Sequence, residues 1–290
     1  MDGRDRTVTE IIWSGVDEKR DRVAELQPRW DVPERVVIKA DIGHHYRADG
    51  VIEHSGKSIA AGACSVHLHI RGAADEDSGD LGLWREVTDE IQRRNGNVVI
   101  DSSPRGATHA DQMAWLEQRF ADIVPVLVTW ERSYLESCVA AIEDTHAKVE
   151  LDIWDGSDVA LATHYIQEGV IKRPASWLLV PSSPYYGTPM RNPMLMAKGL
   201  THQIELIREV DPEGLITVCA SGRASSYLTG LAILLGHHVR PGLGESPWRF
   251  PHSDHFEDDS ALLVRDVVDV ARGLGRSPET PDGYRSLLGI

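Results

Sequence analysis

His67, His69 and Arg71 stand at every second position of the apolar run "AGACSVHLHIRG", Ala61 to Gly72. Side chains alternate across a β-strand, so Ser65, His67, His69 and Arg71 share one face and Cys64, Val66, Leu68 and Ile70 the other. Imidazoles two residues apart lie about 6 to 7 Å apart along a strand and can converge on one metal ion, and the arginine beyond them suits an anion. A pair of hydrogen-bonded core histidines is the other reading of so short a motif.

Polar residues also gather where other strand-like runs end. Asp41 is followed by His44 and His45; Asp101 by Ser102 and Ser103; Asp152 and Asp155 flank Trp154. Ser182 and Ser183, then Ser221 and Arg223, then Arg240 and Glu245 close the last three runs. Each serine is as readily a helix cap as a substrate contact. His237 and His238 fall at the start of the final run, away from this set, and read as structural. The aromatic-rich "PSSPYYGTPMRNP", Pro181 to Pro193, reads as a loop that covers a ligand or as a rigid connection.

The elements that would position these groups alternate regularly. "VVIKADI", "CSVHLHI", "NVVID", "IVPVLVT", "KVELDIW", "SWLLV", "LITVCA" and "HHVRPG" are eight strand-like runs, each followed by a segment of helical periodicity. Eight such pairs predict an α/β fold, a (β/α)8 TIM barrel over residues 35–290, preceded by a charged N-terminal arm over 1–34. Pro125 argues against a regular fourth strand. A doubly wound open sheet is the alternative, but "DIGHHYRADG" after the first strand carries no Gly-rich phosphate fingerprint. In a barrel the polar face of "CSVHLHI" points to the axis, and its later members reach the C-terminal rim where barrel sites are built.

Composition narrows the partners. With 30 Lys+Arg against 45 Asp+Glu, the net charge of −15 repels nucleic acid and anionic membrane. No apolar stretch approaches the roughly 20 residues of a membrane span, and "MDGRDRTVTE" lacks a signal-peptide core, so a cytoplasmic protein is expected. Cys64, Cys138 and Cys219 show no CxxC spacing, which leaves them as small buried hydrophobes.

From about Val36 onward the chain resembles the β-keto acid cleavage enzymes, the family typified by 3-keto-5-aminohexanoate cleavage enzyme. "AGACSVHLHIR" matches the family pattern of AGA, a short apolar link, then HxHxR; "IDSSPRG", "VELDIW" and "LGHHVRPGLGES" are supporting matches. The resemblance implies a (β/α)8 barrel and a retro-Claisen-type exchange, in which a β-keto acid and acetyl-CoA give acetoacetate and an acyl-CoA. It implies zinc or another divalent metal on His67 and His69, and Arg240 orienting a catalytic acid at Glu245. Ser102, Ser103, Arg71, Asp152 and His45 are the implied substrate contacts, and the Pro181–Pro193 loop with Arg191 the place for the CoA tail. A homo-oligomer is implied as well.

Two departures from the family matter. Its Glu-Asp pair is here Gly244-Glu245, so the expected third metal ligand is missing and Glu245 is left to serve as ligand or base. The acid that meets a substrate amine is replaced near His45, which argues against selection for a cationic substrate. A barrel with another carbonyl chemistry, such as aldol cleavage or hydrolysis, and a ligand-binding relative without turnover are the alternative functions.

Overall fold

The computed structural model describes residues 29–181 and 192–290. Ser182, Ser183 and Arg191 of the expected covering loop, and most of the expected N-terminal arm, lie outside the described residues. The chain divides into Met1–Val32 and Pro33–Ile290; residues 29–32 of the first unit carry no regular element, and the second unit holds the barrel.

Eight strands form one parallel sheet in sequence order: β1 (Lys39–Asp41), β2 (Ser65–His67), β3 (Val99–Asp101), β4 (Ile123–Leu127), β5 (Lys148–Ile153), β6 (Ser176–Leu179), β7 (Leu215–Val218) and β8 (His238–Val239). Bridges from Ile38 to Val239 and from Asp41 to Gly242 join the last strand to the first. The sheet is therefore a barrel, as the alternation of runs predicts, and not an open sheet. After each strand comes a helix: α1 (Ala48–Ala61), α2 (Leu81–Asn95), α3 (His109–Glu117), α4 (Arg132–Asp144), α5 (Gly156–Gln167), α6 (Pro193–Val210), α7 (Ser225–Leu234) and α8 (Ser260–Gly273). A ninth, α9 (Pro281–Leu288), follows the last pair.

Pro125 does lie within β4, in register with Glu150 of β5. On the other side, pairing with β3 is confined to Asp101 and Ile123, so the missing amide falls where that neighbour has already ended.

Alternation divides every strand between two environments. Ile38, Ala40, Val66, Leu68, Ile70, Ile100, Val124, Leu151, Trp177, Ile216 and Val239 point outward into one continuous core with the helices. Each such burial contributes on the order of 1.5–3 kcal/mol. Lys39, Ser65, His67, Asp101, Glu150, Ser176 and Thr217 are equally buried but take the opposite parity and face the axis. Cys64 leaves the outward set with which its parity groups it: it packs with Val37, Val99 and Ile123, where Tyr284 and Leu288 of α9 seal the barrel floor.

The axis holds charges in place of the usual branched aliphatic layers. Lys39 Nζ lies 2.5 Å from Asp101 Oδ2 and 2.6 Å from Glu150 Oε2, all three side chains fully buried. Ser176 Oγ donates to Glu150 Oε1 at 3.1 Å. Burial alone would lower the Lys39 ammonium, but Asp101 and Glu150 hold it above its ordinary range. Among the described residues, no helix is long and apolar enough to cross a membrane.

Candidate active site

His67 ends β2 in register with Asp41 of β1 and Asp101 of β3. Its Nδ1 lies 3.0 Å from Asp101 Oδ1, the same carboxylate that pairs with Lys39. His69, one step beyond the strand end, turns its Nδ1 to Asp77 Oδ2 at 2.9 Å. Asp77 reaches it because the chain folds straight back: Arg71 and Asp77 form an antiparallel bridge, Asp75 takes a left-handed turn at φ 66°, and Ser78 N–H donates to Ile70 O. With both Nδ1 atoms on carboxylates, the two Nε2 atoms face each other 3.2 Å apart.

Burial, with the nearby charges of Arg240, Arg105 and Lys39, drives His67 well below the usual imidazole range. Burial also takes His69 down to about 2, against the hydrogen bond its Nδ1 donates to Asp77. The rings are therefore neutral, and a neutral imidazole whose Nδ1 donates to a carboxylate presents a bare lone pair at Nε2. The two lone pairs lie 3.2 Å apart, with Arg105 Nη2 beside that of His69 at 3.3 Å, and the carboxylate–imidazole support is the usual outer shell of a metal-ligating histidine. The donor set thus fits a borderline divalent cation such as zinc. No group of three His, Cys, Asp or Glu converges among the described residues, so the pair stands without a gathered third ligand.

Glu245 is not brought to that pair. It is held across the barrel mouth by Arg240, whose Nε and Nη2 both meet Oε1, at 2.8 and 2.6 Å. Ser221 Oγ approaches the other oxygen, Oε2, at 3.4 Å, and both members of the ion pair are buried. Asp41 lies on the same side: burial and the Glu245 charge push it up to about 7, against the Arg240 guanidinium and the Gly43 amide, which donates to Oδ1 at 2.9 Å.

The other expected contacts divide. Ser102 is fully buried beside the site; its Oγ donates to Leu68 O at 3.0 Å and to Ser103 O at 3.2 Å, so it caps no helix. Asp152 points into the barrel with Oδ1 buried and unpartnered, and burial pushes it up to about 7. Asp155 instead caps α5 through the Ser157 amide at 2.7 Å. Arg71 is committed to backbone oxygens, His44 O at 2.5 Å and Asp75 O at 2.6 Å. His45 is exposed and packs on Tyr46, whereas the His44 ring lies 3.6 Å from that of His69. At the other end of the barrel His238 Nδ1 accepts the Val37 amide at 3.0 Å, a structural part as its position predicts.

Arg105 and Asp77 were not among the expected site residues. Arg105 Nη1 lies 3.0 Å from Asp77, and Nη2 lies 3.3 Å from both His69 Nε2 and Ser102 Oγ. Arg105 sits in the quoted "IDSSPRG", where the serines drew attention first. Asp77 lies among the acids of "AADEDSGD", where only the fold-back distinguishes it from its neighbours.

The family described as beta-keto acid cleavage enzyme matches residues 46–290. The 3-keto-5-aminohexanoate cleavage enzyme of Fusobacterium nucleatum subsp. nucleatum is 24% identical over 261 residues, 84% of this chain and 90% of that protein. The 3-oxoadipate:acetyl-CoA acetyltransferase of Cupriavidus necator is 24% identical over 258 residues, 82% of this chain and 85% of that protein. Among solved structures, the ternary complex of ObcA with a C4-CoA adduct and oxalate is similar in fold, with TM-score 0.73 and 17% identity, covering 85% of this chain and 67% of that one.

Proposed function

Because this chain belongs to the beta-keto acid cleavage enzyme family, we propose that it condenses a β-keto acid with acetyl-CoA to give acetoacetate and an acyl-CoA, using a divalent cation held at His67 and His69. The observation that carries the metal-dependent part is the pair of Nε2 atoms 3.2 Å apart, each ring fixed through Nδ1 by its own carboxylate. A cation bound there supplies electrophilic polarisation of the substrate's keto and carboxylate oxygens.

The remaining work falls to the chain's own groups. Arg240 fixes Glu245 through Oε1 alone, which leaves Oε2 as the atom that takes a proton from the methylene carbon between keto and carboxylate groups. Ser102 and Ser103 meet the substrate beside the histidines, with Arg105 adding positive charge for its carboxylate. Asp152, His44 and His45 are assigned to the variable end of the keto acid, His44 through its ring beside His69, and Arg71 stiffens the rim by holding two loop carbonyls. Support for acetyl-CoA as co-substrate comes from the relative named 3-oxoadipate:acetyl-CoA acetyltransferase.

Incubation of the purified protein with zinc, acetyl-CoA and a panel of β-keto acids is expected to yield acetoacetate and the matching acyl-CoA with at least one of them. Neutral keto acids are expected to outperform cationic ones, since a histidine stands where an acid would meet an amine. Absence of acetoacetate with every member of the panel overturns the reading.

A further inference from the structure

Gly244 has no room for a side chain: a Cβ built on it would overlap the carboxyl carbon and both oxygens of Asp41. The neighbouring Gly242 is under the same constraint, since its Cβ would fall on the Asp41 backbone at φ +151°. The Asp41 backbone is fixed by three bonds, its amide to Pro241 O at 2.9 Å, Leu243 N–H to its carbonyl at 3.2 Å and Ser260 Oγ to the same carbonyl at 2.7 Å, while its carboxylate accepts the Gly43 amide. Asp41 is 1% exposed, and it occupies the register position next to His67 on the adjacent strand, facing the axis with it.

The two positions are therefore complementary. A carboxylate rises from β1 into the space that the loop after β8 leaves open at Gly244, on the inward face that carries His67. Two neutral imidazoles and one carboxylate, with a position left for substrate or water, form the usual donor set of a catalytic divalent cation. Glu245 keeps Oε1 on Arg240 and turns Oε2 to Ser221 Oγ at 3.4 Å, and Asp77 and Asp101 are engaged at the Nδ1 atoms.

We propose that Asp41 is the third protein ligand of a divalent cation bound by His67 and His69. This deepens the metal-dependent reading above and rests on it. Cation binding draws the Asp41 carboxylate to the histidine pair, which the three groups do not yet form as a closed cluster.

Cobalt(II) is the probe, because its visible bands report coordination without turnover. Wild type, Asp41→Asn and the double variant Asp41→Ala/Gly244→Glu are titrated, with circular dichroism to check folding. Asp41→Asn keeps an oxygen for the Gly43 amide, yet it is expected to weaken cobalt binding beyond the roughly 10–100-fold typical of losing an outer-shell partner, and to alter the bands. The double variant, which returns a carboxylate from the facing loop into the vacated space, is expected to bind within about tenfold of wild type. Unchanged affinity and bands in Asp41→Asn, or a double variant without uptake, overturn the assignment while leaving a metal-dependent enzyme intact. A wild type that takes up no cobalt overturns both.

Discussion

Arg240 grips a single oxygen of Glu245, with Nε at 2.8 Å and Nη2 at 2.6 Å from Oε1. One oxygen is thus anchored by Arg240 and the other is approached only by Ser221 Oγ at 3.4 Å, which suits the proton transfer proposed for it. Glu245→Gln keeps the shape and removes the basicity. We expect kcat to fall by about 10²–10⁴, the usual contribution of a positioned base, with cobalt or zinc uptake unchanged. Parallel loss of metal would make Glu245 a ligand instead.

Asp77 contacts His69 Nδ1 and Arg105, which fits a positioning part in the proposed metal site. Its hydrogen bond to Nδ1 and its pairing with Arg105 pull it down to about 2 despite the cost of burial, so it stays a carboxylate across the working pH range. Asp77→Asn is expected to weaken metal binding about 10–100-fold, as loss of an outer-shell carboxylate typically does. Competition with a chromophoric chelator measures it, and an unchanged constant would leave Asp77 with only a loop-stabilising part.

Lys39 holds the axis together. Replacing it by methionine leaves Asp101 and Glu150 buried without their counter-charge, which costs about 3–5 kcal/mol. Lys39→Met should lower the urea midpoint accordingly. The double variant Lys39→Met/Glu150→Gln should recover part of that loss, because it removes one of the two stranded charges.

Acid sensitivity should have a source far from the site. Burial pushes His237 down to about 4 and His238 to about 3, and the latter must stay neutral at Nδ1 to accept the Val37 amide. Both values lie below the ordinary imidazole value of about 6.5. The unfolded chain therefore takes up protons first, so this stability is complete above about pH 6.5 and drains away as pH falls towards 3. His238→Asn, which keeps an acceptor that does not titrate, should flatten the fall in urea midpoint between pH 6.5 and 4.

Much of this was legible in the sequence. Short β-branched or apolar runs alternating with helical segments located all eight barrel strands, and in "SVHLHI" the division between apolar wall and polar lumen is carried in a single run. What escaped was set by tertiary closure. Asp41 reads as a polar residue at a strand end; only the bridge to Gly242, made across about two thirds of the chain length, places its carboxylate over Gly244. Asp77 depends on a fold-back of six residues, and the choice of His44 over His45 beside His69 depends on the direction of one loop. Lys39 and Glu150 did show the inward parity of charged residues, a signal readable by the same counting that singled out the histidines.

Along each strand, neighbouring residues answer to different selective demands. Val66, Leu68 and Ile70 hold the wall to its helices, while Ser65 and His67 face the lumen and His69 follows them at the rim. Libraries at inward positions of the rim, leaving the buried Lys39, Asp101 and Glu150 cluster untouched, should therefore redirect substrate choice at less risk to folding yield than outward libraries. Deleting one residue from β2 would exchange the two sets at a stroke, pointing Leu68 and Ile70 into the lumen and the imidazoles at the helices. In this barrel an insertion or deletion of one residue in a strand is a far graver lesion than any single substitution there.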